Sequence, residues 1–115
     1  MSEHVETKLT GTEVYSGRIV HLFRDTVLLE NGHETVREVI RHPGAVCIVP
    51  VTDDGDVLLV RQYRYPFGRV LLEAPAGKLD PGEAHAACAV RELREETGAS
   101  AREYRYLGSF YPSVA

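Results

Sequence analysis

Between Gly77 and Ala99 the chain concentrates its chemistry. Glu83 lies six residues after Gly77, and the run Arg91-Glu92-Leu93-Arg94-Glu95-Glu96-Thr97-Gly98-Ala99 follows. Four carboxylates and one guanidinium thus stand at fixed offsets on, and just before, a stretch with helical spacing. Glu92 and Glu96 are like charges four apart, a pairing that destabilises an empty helix. So much negative charge suits a hard cation. Mg²⁺ in particular is held by one or two carboxylates together with the phosphates of its substrate. A run of glutamates alone reads as a solvated helix face. Here Gly77, Glu83, Arg91 and Gly98 accompany it at set distances, and the pattern points to metal-assisted chemistry on a phosphate.

The elements that position these groups follow from local signals. Asp80 suits an N-cap, Pro81 the first helical position, and Glu83 the third position after the cap, while Gly98 provides a stop. The spacing predicts a helix over 81–97. On it Ala86, Val90, Leu93 and Thr97 share a core-facing side, and Glu92, Glu95 and Glu96 point the other way. Arg91 reaches Glu95 by the i,i+4 rule. Residues 1–10 read as loosely ordered. Residues 14–29 have strand character, Asn31-Gly32 signals a hairpin, and 35–40 form the return strand. Residues 11–41 therefore read as a small antiparallel unit. The apolar run 45–51 fits a buried central strand. Further strands are expected at 56–63, 70–73 and 104–111, with Ala74-Pro75-Ala76-Gly77 a tight loop. This order predicts an α+β fold with a mixed sheet and a helix on its face, divided into an N-terminal unit (1–41) and a main domain (42–115).

The bulk properties are those of an ordinary globular chain of 115 residues, 43% hydrophobic and 26% charged. A formal net charge of −4 argues against nonspecific nucleic-acid binding. Cys47 and Cys88 have no metal-like spacing and read as reduced thiols of a cytoplasmic protein. The first residues lack a basic region followed by an apolar run, so no signal peptide is expected. No apolar stretch approaches membrane-spanning length. The histidines are scattered, and His85 reads as a groove-lining or surface residue.

The segment from Gly77 to Ala99 resembles the Nudix box of the Nudix hydrolases at every specified position. The flanking segments resemble the ADP-ribose pyrophosphatase subfamily: Val60-Arg61-Gln62-Tyr63-Arg64-Tyr65-Pro66, Leu72-Glu73-Ala74-Pro75-Ala76-Gly77, His42-Pro43-Gly44-Ala45-Val46 and Ser109-Phe110-Tyr111-Pro112-Ser113. The resemblance implies a Nudix-type α/β/α sandwich with a mixed sheet, preceded by the small antiparallel unit. That fold continues with further strands and a second helix, so the chain is expected to be truncated at its C-terminus.

The resemblance further implies hydrolysis of the diphosphate of ADP-ribose, or a related nucleotide sugar, to AMP and ribose 5-phosphate. Mg²⁺ or Mn²⁺ is the implied cofactor. Glu92 and Glu96 would ligate metal, with Glu95 a ligand or water-positioning group, and the Ala76 carbonyl and Glu83 would add to the shell. Arg91 would orient the glutamates. Arg64, and after it Arg61, would bind the diphosphate, since a planar guanidinium meets phosphate oxygens in pairs. Glu73 would accept hydrogen bonds from a ribose or assist the metal. Tyr63, Tyr65 and Phe67 would stack on adenine or pack in a core or dimer interface. In the subfamily the N-terminal unit swaps across a homodimer, which would bring Phe23, Arg37 or Glu38 to the partner's site. No acidic residue follows Glu103, so a general base is left unassigned. The alternatives are hydrolysis of another nucleoside diphosphate derivative, such as a flavin or nicotinamide dinucleotide, and a nucleotide-binding module without turnover.

Overall fold

A computed structural model describes residues 4–114. It is α+β, with seven strands in three antiparallel sheets and one α-helix among the described residues. The chain parts into two compact units between His42 and Pro43.

The first unit is a three-stranded meander of β1 (Thr7–Ser16), β2 (His21–Leu28) and β3 (Glu34–Arg41). The β1–β2 register slips between Lys8 and Thr10 and again between Glu13 and Tyr15. The β2–β3 register is unbroken from His21 opposite Arg41 to Leu28 opposite Glu34. Gly32, at φ 85°, makes the β2–β3 turn, and its N–H donates to the Leu29 carbonyl at 3.0 Å. Asn31-Gly32 is therefore a hairpin turn, as its chemistry requires. Two expectations need correction here. Thr7 to Thr10 belong to a strand and are not loose, while residues 1–3 lie outside the described residues. The stretch 14–29 is also two strands, because the chain reverses after Gly17, whose N–H donates to the Val20 carbonyl at 2.8 Å.

The second unit holds β4 (Ala45–Cys47), β5 (Val60–Arg64), β6 (Arg69–Glu73), β7 (Ala76–Lys78) and α1 (His85–Thr97). β5 and β6 form a hairpin closed by the 3₁₀ turn Tyr65–Phe67. Gly68, at φ 63°, ends that turn by donating to the Arg64 and Tyr65 carbonyls. β4 pairs with β7, and α1 packs on both. The core of this unit is small: Leu93, Cys88 and Pro75 are its fully buried side chains.

Five details differ from expectation. The strand expected over 56–63 begins only at Val60, and before it Val57 makes just an isolated bridge. β7 begins inside the segment expected to be a loop, because Ala76 finds Cys47 as a ladder partner. The run 45–51 is not a buried central strand. Only Ala45–Cys47 joins a ladder, Val51 makes an isolated bridge to Val57, and Val49 and Val51 are exposed. Residues 104–111 form no strand and pair with none of the described strands. Finally, α1 starts at His85, with Ala84 at its cap position and no side-chain cap. Pro81 and Gly82 instead occupy the middle of a turn closed by the Glu83 N–H on the Asp80 carbonyl at 3.0 Å. With Gly82 at φ 73°, this is the type II pattern of Pro followed by Gly.

Candidate active site

The turn at 80–83, strand β7 and helix α1 meet around one side chain, Arg91. Its Nε and Nη2 donate to the two oxygens of Glu83, each at 2.8 Å. Nη1 donates to Glu92 at 2.9 Å and to Glu95 at 3.1 Å. Nη2 also donates to the Lys78 carbonyl at 3.1 Å, and Asp80 lies 3.4 Å from Nε. One guanidinium thus ties three elements together. Glu83 also accepts from the Asp80 N–H at 3.1 Å. The Arg91 guanidinium, and after it that N–H, hold the Glu83 carboxyl at about 2. The same ion pairing pushes Arg91 above its ordinary value, with Glu83 the largest cause.

Glu92 and Glu96, expected to repel, are separated by their partners. Glu92 is buried, although glutamate rarely is unless paired. It lies against Gly77 of β7, where a Cβ would come within 2.0 Å of its Cδ. Glu96 is exposed and accepts from the Ala76 N–H at 3.2 Å. The expectation that the glutamates face away from the packed side of α1 is therefore corrected for Glu92, while Glu95 and Glu96 are exposed. Cys88, Glu92 and Leu93 are the buried residues of the helix, while Ala86 and Val90 are exposed. β4 and β7 cover the helix on a side that includes a glutamate.

Beside Glu96 runs an open groove of about 210 Å³, also lined by Val60, Arg61 and Gln62 of β5. Arg61 is exposed. Arg64 donates through Nε and Nη2 to the two oxygens of Glu73, both at 2.7 Å. Tyr63, Tyr65 and Phe67 are 60%, 88% and 67% exposed, so none belongs to a core among the described residues. His85 is exposed at the start of α1. In the first unit, Arg37 is held by Glu6 through a bidentate pair at 3.0 and 2.7 Å. The sequence reading missed the Lys78 carbonyl as an Arg91 acceptor, and it took Asp80 for a helix cap. It also missed Gly77 as the seat of Glu92, a closeness that only the folded chain creates.

The NUDIX domain matches residues 41–114. The chain belongs to the Nudix family. It is 41% identical over 108 residues to an ADP-ribose pyrophosphatase of Bacillus subtilis, covering 94% of this chain and 58% of the relative. It is 43% identical to the methanol dehydrogenase activator of Bacillus methanolicus, covering 98% of this chain and 62% of the relative. An ADP-ribose pyrophosphatase of Mycobacterium tuberculosis is 43% identical, covering 93% and 52%. A crystal structure of an ADP compounds hydrolase superposes with a TM-score of 0.75 at 32% identity, covering 90% of this chain and 56% of that one. The α+β fold is thus of the Nudix type. The chain spans between 52% and 62% of the length of these relatives.

Nudix hydrolases generally use divalent metal ions. The oxygen donors here suit such an ion in type: Glu92 and Glu96 stand one turn apart, and Glu92 fills the space that Gly77 leaves without a side chain. Among the described residues no three acidic, histidine or cysteine side chains already converge on one point. Arg91 and the Ala76 N–H draw the carboxylates to separate partners. No helix among the described residues is long and apolar enough to cross a membrane.

Proposed function

We propose that the chain carries the catalytic machinery of a divalent-metal-dependent hydrolase that splits the diphosphate of ADP-ribose, or of a related nucleotide sugar, into AMP and ribose 5-phosphate. The observation that carries this reading is the seating of Glu92 against Gly77, with Arg91 fastening Glu83, Glu92 and Glu95 around it. The names of the B. subtilis and M. tuberculosis relatives support the substrate.

In this reading Glu92, Glu96, Glu95, Glu83 and the Ala76 carbonyl hold Mg²⁺ or Mn²⁺. When bound, the ion neutralises charge on the diphosphate and lowers the pKa of an attacking water. Arg91 keeps the glutamates in register by direct hydrogen bonds and is a positioning residue. Arg64 and Arg61 take the diphosphate from the β5 side, beside the groove that Glu96 lines. Glu73 acts from the same hairpin. The protein works as a cytoplasmic homodimer, in which Arg37, with Phe23 and Glu38, reaches the adenine end of the partner's substrate. The net charge of −4 favours a small nucleotide presented with its cation over a nucleic acid.

A second reading is favoured by one observation, the 43% identity to a protein named as an activator of methanol dehydrogenase. Under it the site binds a nucleotide for another protein's benefit.

The test is AMP release from ADP-ribose, with and without Mg²⁺, beside Glu96→Gln. AMP that requires both the metal and Glu96, from variants of unchanged helix content, is the expected result. AMP that persists with the chelator or in Glu96→Gln overturns the metal site. Folded protein that binds ADP-ribose and releases no AMP favours the second reading.

A further inference from the structure

The Arg64–Glu73 pair does not sit where simple cross-strand pairing would put it. In the β5–β6 hairpin Arg64 lies opposite Arg69, and Glu73 lies opposite Val60, four residues further along. The Arg64 side chain therefore runs back along the hairpin to reach Glu73. It meets both carboxylate oxygens with Nε and Nη2, at 2.7 Å each. A guanidinium carries five N–H donors in a fixed fork. This contact uses the side edge, one N–H from each nitrogen, and leaves the end of the fork, at Nη1 and Nη2, for a second bidentate partner. The two side chains are 41% and 27% exposed. A pair so placed contributes little to stability. Its value lies in fixing an orientation, because a guanidinium held along one edge has no freedom left at the other.

Glu73 is in turn fixed to the glutamate cluster by a short stiff link. Ala74 and the wholly buried Pro75 connect it to Ala76, whose N–H holds Glu96. The Pro75 carbonyl accepts from the Ile48 N–H at 2.8 Å, which anchors the link. The charge of Glu96 also adds to the upward shift of Arg64, after the larger effect of its bond to Glu73.

We infer that Glu73 is a positioning residue for the diphosphate: it grips the side edge of Arg64 and presents the end of the guanidinium to phosphate at a set place beside Glu96. The inference rests on the hydrolase reading for its substrate, though not for its geometry. It also opposes what charge alone dictates. Glu73 cancels the charge of Arg64, so an electrostatic account has Glu73→Gln tighten the binding of an anion. A positioning account has it weaken binding.

The experiment is a cycle of wild type, Glu73→Gln, Arg64→Lys and the double variant, with Glu73→Asp as a fifth protein. Lysine keeps the charge and loses the fork, and aspartate keeps the charge and loses the reach. KM is read from AMP release, and Kd for ADP-ribose and for inorganic pyrophosphate is read by calorimetry in chelator. The Kd series tests the inference independently of turnover. Expected is a rise of about tenfold in KM and Kd for Glu73→Gln and for Glu73→Asp, with little change in kcat. Expected too is no further rise when Glu73→Gln is added to Arg64→Lys. Tighter binding by Glu73→Gln overturns the inference, and so does unchanged binding by Glu73→Asp. An equal effect of Glu73→Gln in both Arg64 backgrounds overturns it as well. Failure of the wild type to bind either probe also overturns it, because Arg64 would then have no phosphate to hold.

Discussion

The carboxylate of Glu92 occupies the place of the side chain that Gly77 lacks. A Cβ at Gly77 would lie 2.0 Å from Glu92 Cδ and 2.2 and 2.3 Å from its two oxygens. Gly77 sits in a ladder opposite Val46 and Glu92 in the middle of α1, so neither backbone is free to step aside. Gly77→Ala therefore forces Glu92 out of its seat. We expect a loss of about 1–3 kcal/mol of stability, the usual cost of overpacking a close contact, and loss of most metal-dependent turnover. Thermal melting and AMP release on one preparation check both. A variant with unchanged melting and turnover would show that Glu92 has another place to go.

Arg91→Lys keeps the positive charge and discards the fork. A lysine ammonium cannot bridge Glu83, Glu92 and Glu95 in one plane. The expected result is a fall in kcat of about tenfold or more, the usual effect of losing a residue that orients metal ligands, together with a raised Mg²⁺ requirement. A Mg²⁺ titration of the initial rate reads both. Wild-type behaviour in Arg91→Lys would reduce the guanidinium to a source of charge.

The acid limb of stability follows from Glu83. Its folded-state value, about 2, lies below its ordinary 4.5, so the unfolded chain binds the proton first. The stabilisation is complete above about pH 4.5 and is lost as the pH falls toward 2. Glu83→Gln cannot show that loss. The melting temperatures of wild type and Glu83→Gln should differ near neutrality and converge in acid. Parallel curves down to the acid limit would mean that the pair with Arg91 contributes nothing.

The two thiols should report on the helix interface. Cys47 is exposed, while Cys88 is fully buried beneath the Lys78 carbonyl. Burial, then its contact with Glu83, pushes the Cys88 thiol up to about 11. The thiolate is the reactive form. Iodoacetamide near neutral pH should therefore label Cys47 alone, with Cys88 following only on unfolding, as mass spectrometry of the peptides would show. Rapid double labelling of folded protein would mean that α1 lifts from β7 readily.

The site was legible in the sequence to the extent that its chemistry is written in side-chain types at fixed intervals. Glu83, Arg91, Glu92, Glu95 and Glu96 were singled out by their offsets and by the box those offsets resemble, and the structure brings the Arg91 guanidinium to three of the other four. Which way each carboxylate turns was not legible. The helix period placed Glu92 outward, but Gly77 on a strand remote in sequence opened a space for it, and spacing along α1 carries no trace of that space. Pro81-Gly82 misled for a related reason. Pro suits both a first helical turn and the second position of a type II turn, and the following glycine decided for the turn. The strands failed where pairing is non-local. Residues 45–51 and 104–111 have the composition of strands, but a ladder also needs a partner edge. Asn31-Gly32, whose geometry is fixed within two residues, was read correctly.

Glu96 is held by a main-chain N–H at position 76, whereas Glu92 depends on the missing side chain at position 77. In mutational terms these neighbours are opposites. Any residue but proline brings the same N–H to position 76, so an exchange there does not of itself remove the donor to Glu96. At position 77 every exchange adds a Cβ and dislodges a carboxylate. Adjacent codons thus carry very different burdens, and the tolerant one guards the more exposed of the two glutamates.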